Sequence, residues 1–333
     1  MKKKFTVLWI DDDPSRKAES DSMKSRLKLD MDIKFIDVKN KSLPDELKKI
    51  LSSDKPDLIL MDHMLDKITE NGYKTGSTAA EVIHEKWADC PIICVTEVDL
   101  KDIDLHKQSI YEDIFEFANI SSYYSTLVSI AASFQELKKK PPQNIGDFIG
   151  LLKAPEDDLE RLKAVIPEEL KNKELYQDES LLLTISRWVR QTLMAKPGFL
   201  YDRLWTATLL GIKEESLPKI EHIFSEAKYS GIFADEGKGK ERWWQSKLKE
   251  ILFCRFPEID EIYPWKLGRK LPGIAKDDFS KCHASGEDFP ETVAYTDEAA
   301  KTREPMRLRY TVSHPGFEKS LFFEEMRMMQ GEE

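Results

Sequence analysis

Phe5-Thr-Val-Leu-Trp-Ile-Asp-Asp-Asp-Pro14 is a short apolar run closed by three aspartates, Asp11, Asp12 and Asp13, and Leu58-Ile-Leu-Met-Asp62 repeats the pattern with a fourth. Short runs of this kind, apolar without alternation, read as strands covered on both faces. If the two are parallel neighbours, their carboxyl ends lie side by side, where open α/β sheets place their ligand sites. The carboxylates then share one pocket. Two unit charges ~4 Å apart repel by about 1 kcal/mol in water and about 4 kcal/mol at an effective dielectric near 20. Such a cluster requires a counter-cation or raised pKa values, and Mg2+ is the simplest cation that suits it. One Asp-Asp-Asp-Pro run alone would read as a polar turn with Asp13 as helix N-cap. The second run, ending at Asp62, is what points to a site.

Outward from these runs, residues 1 to about 140 alternate apolar stretches with amphipathic ones, the pattern of a parallel sheet with crossover helices. Strands are expected near 5–10, 33–38, 57–62, 91–96 and 112–117. Helices are expected near 14–28, 44–52, 76–87, 101–109 and 121–138, with Pro14 and Pro44 suited to first helical turns. The fold class is therefore α/β, a flavodoxin-like (βα)5 domain over 1–138. The run Lys138-Lys-Lys-Pro-Pro-Gln-Asn144 interrupts the pattern, and 139–146 reads as a linker. Residues 147–333 read as a mainly helical second domain, with a helix expected from Leu217 to Tyr229. Its 255–320 region is irregular, with strand-like pieces at Thr292–Thr296 and Met306–Val312. Trp188, Trp205 and Trp243 fall at helical spacing and are expected in a core.

Composition narrows the classes. The 333 residues, 41% hydrophobic and 34% charged, suit two folded domains with well-solvated surfaces. No apolar stretch reaches the ~18 residues that cross a bilayer, and the apolar run after Met1-Lys-Lys-Lys4 is too short for a signal peptide. A cytoplasmic protein without a membrane partner is the expectation. The net charge of −10 opposes a nucleic-acid partner, whose phosphates demand a basic footprint. Cys90, Cys94, Cys254 and Cys282 form no CxxC pair, so buried or free thiols are expected, with Cys90 and Cys94 as packing residues. Cys282, His283 and His314 lack the third orienting group of a catalytic or metal constellation, and His222, which could serve as a phosphotransfer histidine on an amphipathic helix, reads as structural from its apolar neighbours.

The first 140 residues resemble the receiver domain of bacterial response regulators. The resemblance rests on Leu8-Trp-Ile-Asp-Asp-Asp-Pro14, Pro56-Asp-Leu-Ile-Leu-Met-Asp62 and Pro91-Ile-Ile-Cys-Val-Thr96. It implies that Asp11 and Asp12 are the acidic pair that holds Mg2+ with Asp62, and that Asp62 accepts a phosphoryl group. It also implies the main-chain carbonyl of Met64 as a metal ligand, Thr96 as the hydroxyl that bonds the phosphoryl group, and Phe115 or Phe117 as the aromatic that follows Thr96. The implied partners are a histidine kinase or phosphotransfer protein, an effector protein contacting 147–333, and a second copy of the chain in a homodimer. One family element is missing: the fifth strand reads Asp113-Ile-Phe-Glu-Phe117, with no lysine at its end. That departure supports an alternative, a pseudo-receiver used for docking or dimerisation without phosphorylation. The loop His63 to Thr75 is also longer than usual for the family.

A second resemblance comes from a different class. Asp11-Asp-Asp13-Pro-Ser15 is similar to the first motif of haloacid-dehalogenase-like phosphatases, with Asp11 and Asp13 as its carboxylates and Thr96 as the second motif. It leaves Asp62 without a role, and it requires a late lysine and an acidic pair after a further strand, for which Asp277-Asp278 lie far downstream in an irregular region.

Overall fold

Strand β1 (Phe5–Asp11) is paired in parallel with β2 (Met31–Asp37) on one side and, on the other, with β3 (Leu58–Met61), the central strand of the sheet. β4 (Ile92–Thr96) and β5 (Asp113–Glu116) continue the sheet, in the order β2-β1-β3-β4-β5 with every pair parallel. Every residue of β3 and β4 is buried, as expected of runs covered on both faces. In this computed structural model the described residues are 4–28, 30–39, 41–65, 75–99, 102–103, 108–235, 237, 239–259, 263–288, 292–297, 302–307 and 310. The helix expected over 101–109 falls largely outside them, as does most of the loop after His63 and the residue His314.

The helices α1 (Lys17–Arg26), α2 (Leu43–Leu51), α3 (Gly76–Lys86) and α4 (Tyr124–Lys139) cover the sheet. On one face Ile10, Ile59, Met61, Ile92 and Cys94 pack against Leu43, Leu47, Ile50, Ala79, Ala80 and Ile83 from α2 and α3. Alternation along the strands turns Val7, Trp9, Leu60 and Val95 to the opposite face. The flavodoxin-like architecture expected of this region is what the chain adopts. Pro44 stands in the first turn of α2, where its missing N–H leaves no bond unmade.

Contacts within the chain group 167–187 with 1–148, and 149–166 with 188–333. In the first unit Arg187 pairs with the buried Glu112, its Nε donating to Oε1 at 2.9 Å. His84 on α3 lies nearby, with Nε2 3.1 Å from the carbonyl of Cys90. Burial first, and then the Arg187 charge, hold its pKa below the ordinary histidine value, against the Cys90 bond. The unfolded chain therefore binds more protons than the folded one in that window. The stabilising effect of a neutral His84 is complete above about pH 6.5 and is lost as pH falls toward the folded value. Thermal melts at about pH 7.5 and about pH 5 are expected to show a smaller acid-side loss for His84→Gln than for wild type. Equal losses would remove His84 as the cause.

The second unit is largely helical. Arg203–Leu209, Gln245–Arg255 and Pro264–Gly268 enclose Trp205, Leu210, Leu217, Phe224, Trp243, Leu248 and Leu267. Trp188, Trp205 and Trp243 are all buried as expected, although Trp243 lies on a short strand, Trp243–Trp244, and not on a helix. The helix expected from Leu217 to Tyr229 does not form as one element. Two 3-10 segments, Glu214–Lys219 and Glu221–Ala227, replace it, separated at Ile220, and Pro218 inside the first has no N–H for an α-helical bond. The irregular region contains an antiparallel hairpin, Thr292–Asp297 with Thr302–Arg307. No helix among the described residues is long and apolar enough to cross a membrane.

Candidate functional site

Register explains why the acidic residues meet. Ile10 of β1 pairs with Met61 of β3, so Asp11 and Asp62 each follow a matched pair at the carboxyl edge. The Asp62 N–H donates to the Ile10 carbonyl at 3.1 Å, which locks the two ends together. Asp12 turns toward the same place, and carboxylate oxygens of Asp11, Asp12 and Asp62 all lie within 4.8 Å of one another. Asp11 and Asp62 are 0% and 5% exposed, so this is a buried cluster and not a solvated acidic face.

Asp11 is held from three directions. Its Oδ1 accepts from the Asp13 N–H at 2.8 Å, and its Oδ2 accepts from the Trp9 indole at 3.2 Å and from Arg16 Nη1 at 3.1 Å. Arg16 was not legible as a site residue. The sequence suggests one helix from residue 14, which would place Arg16 on an ordinary helical turn. Instead Asp13 caps a 3-10 turn, Pro14–Arg16, through a bond from the Ser15 N–H at 2.9 Å, and α1 begins only at Lys17. The tighter turn brings Arg16 back over the strand ends. Its Nη1 also lies 3.3 Å from Asp62 Oδ1, its Nη2 lies 3.6 Å from Glu97, and its guanidinium sits 4.6 Å above the Phe117 ring. The available signal was an arginine five residues after a strand-terminal aspartate, behind Asp-Pro.

One guanidinium does not offset so much buried negative charge. Burial first, and then the charge of Asp11, push the Asp62 carboxyl up to about 7, although Arg16 pulls the other way. Burial likewise raises Asp11 despite its three donors. Asp13 behaves differently: half-buried, it is held low by the Ser15 N–H. Asp13 thus serves the turn, and Asp62 completes the trio with Asp11, an arrangement the phosphatase-like motif does not anticipate.

The trio is a set of hard oxygen donors of the kind that binds Mg2+ or Ca2+, so the residues fit a divalent cation. Around it, Thr96 is buried at the end of β4, with Oγ1 accepting from the Val98 N–H at 3.0 Å. Phe115 is buried and stacked on Tyr123 at 4.0 Å between ring centroids. Phe117 meets the edge of Trp9 and carries Arg16, a role its sequence did not suggest. Met64, two residues past Asp62, is exposed. Behind Asp62, Gly76 at the start of α3 donates its N–H to the His63 carbonyl at 2.8 Å. Elsewhere, His222 is exposed and not packed as expected. Cys282 is buried, its Sγ accepting from the Arg307 N–H at 3.4 Å.

No family model and no curated protein matches this chain. Among solved structures it is similar to the response regulator TrrA of Thermotoga maritima in complex with Mg2+-BeF, at 22% identity over 34% of this chain and 85% of that one, TM-score 0.26. It is similar to a two-component response regulator from Clostridium difficile at 19% identity, over 39% and 97% of the two chains, TM-score 0.32. A third is the complex of histidine kinase ThkA with TrrA, at 20% identity over 37% and 97%, TM-score 0.28. At these identities the likeness is one of fold.

Proposed function

We propose that this chain is a cytoplasmic, response-regulator-like signalling protein whose first unit accepts a phosphoryl group on Asp62 and whose helical second unit passes the change to another protein. The observation that carries the reading is the convergence of buried Asp11 and Asp62 with half-buried Asp12 at the matched ends of β1 and β3. A carboxylate oxygen of Asp62 attacks phosphorus in line as the bond to the donor's leaving group breaks. Mg2+, held by Asp11, Asp12, Asp62 and the Met64 carbonyl, would neutralise charge on the transferring group. Thr96 would turn its hydroxyl from the Val98 N–H toward the new phosphoryl oxygens, and Phe115 or Phe117 would follow. The phosphodonor would be a histidine kinase or phosphotransfer protein, and the role is regulatory.

A second reading has its own support. Arg16 already pairs with Asp11 and Asp62, and β5 ends without a lysine, as suits a pseudo-receiver that docks or dimerises without chemistry. Intact-mass spectrometry after incubation with acetyl phosphate and Mg2+ separates the two. A gain of one phosphate in wild type that is abolished in Asp62→Asn is the expected result. No gain in wild type would leave the pseudo-receiver, and an equal gain in the variant would move the acceptor elsewhere.

A further inference from the structure

We propose that Arg16 is a resident counter-cation that occupies the cation position of the acidic pocket and gates entry of a divalent ion, which binds only as the arginine swings aside. The inference rests on the receiver reading of the site and names how that site is regulated.

Four features of the side chain support it. First, Nη1 bridges Asp11 at 3.1 Å and Asp62 at 3.3 Å, two of the three carboxylates that a divalent ion would share. Guanidinium and metal compete for the same oxygens. Second, Arg16 is only 7% exposed, so its charge acts at short range with little screening. A dication entering beside it meets strong repulsion unless the side chain moves. Third, the present seat is incompletely satisfied: Nε is buried without a hydrogen-bond partner. A buried donor left unmade weakens the hold of that position. Fourth, a second seat is at hand. Glu97, largely exposed, lies 3.6 Å from Nη2 on the outward side, and the Phe117 face beneath the guanidinium gives it a surface to slide across.

The exchange has an electrostatic logic. Asp11, Asp12 and Asp62 form the pocket, and the single positive charge of Arg16, set against Asp11 and Asp62, cannot compensate all three carboxylates. Two positive charges on one small ion satisfy more of them, so the ion displaces Arg16 once its concentration suffices. The device also accounts for a pocket that keeps a cation although its fifth strand provides none.

The test is isothermal titration calorimetry of Mg2+ and Mn2+ into the full chain, comparing wild type with Arg16→Gln, Arg16→Lys and Glu97→Gln, with circular dichroism and thermal melts to establish folding. Arg16→Gln is expected to bind Mg2+ about tenfold or more tightly. Arg16→Lys, which keeps the charge but reaches less far, should lie between, and it remains the test should the glutamine variant fail to fold. Glu97→Gln should weaken binding in wild type but not in the Arg16→Gln background, because its effect passes through the arginine. Tight binding in Arg16→Gln with none in wild type would support the gate in its strongest form. Equal or weaker binding in Arg16→Gln and Arg16→Lys would overturn the gate while leaving the metal site standing. No binding in any variant would overturn both the gate and the Mg2+-dependent function.

Discussion

Gly76→Ala is expected to lower the stability of the first unit by about 3 kcal/mol and to cut phosphoryl acceptance on Asp62 by roughly a hundredfold. A methyl group at position 76 would stand 2.0 Å from the Asp62 carbonyl oxygen and 3.0 Å from the Tyr111 hydroxyl. The first distance is far inside van der Waals contact, and neither backbone yields cheaply. Gly76 donates to His63 and Asp62 donates to Ile10, so a shift on either side breaks a bond that joins α3 to β3 or β3 to β1. The displaced atom belongs to Asp62, the residue proposed as acceptor. A movement of order 1 Å there costs reactivity steeply, because in-line attack tolerates little misalignment. Urea denaturation should show the stability loss, and a melt should show a drop of roughly 10 °C. Gly150→Ala is the control: nothing lies within 4 Å of a Cβ at that helical position, so alanine there should be neutral or stabilising. Equal behaviour of the two variants would defeat the argument from close approach.

Gly268→Ala is expected to cost a similar amount, about 3 kcal/mol, in the second unit. Here a Cβ would meet the Leu210 carbonyl oxygen at 2.2 Å and the Leu210 Cα at 2.7 Å. The helix Pro264–Gly268 lies directly on the end of Arg203–Leu209 because position 268 has no side chain. The junction has little freedom to open. Gly211 follows at φ +66°, a left-handed conformation suited to glycine, and Arg269 Nε donates to its carbonyl at 2.9 Å. The Arg269 guanidinium is in turn clasped by Trp265 and Phe279, each 4.7 Å away. Hydrogen exchange should show faster opening at Leu248 and Leu252, which share this core. Unchanged exchange there, with unchanged denaturant midpoint, would mean that the helices can part at no cost.

Much of the first unit was legible in the chain. Leu58-Ile-Leu-Met61 and Ile92-Ile-Cys-Val95 read as strands buried on both faces, because they are short, bounded and apolar without alternation. The aspartates that close two of these runs then had to fall at one sheet edge if the runs paired in register, and they do. In the second unit Trp188 and Trp205 were expected in a core and are buried there, while Trp243 reaches the core from a short strand and not from the helical spacing expected of it. Leu217 to Tyr229 misled, since its apolar pattern suited an α-helix while Pro218 denied it the backbone bond.

What the sequence determined by itself was local: which stretches are strands, which carboxylates stand at their ends, and that β5 ends without a lysine. These follow from side-chain polarity and period, properties a short window contains. Only the tertiary structure decided that Arg16 closes on Asp11 and Asp62, that Phe117 supports it, and that the backbone comes close at Gly76 and Gly268. Each of these depends on where a turn aims a long side chain, or on how near two backbones come after distant segments have packed. A shift from an α-helical to a 3-10 turn at Pro14–Arg16 is worth little in local energy, yet it redirects the only part of Arg16 that bears charge. The buried carboxylates settle that choice, and they come together only when β1 and β3 pair.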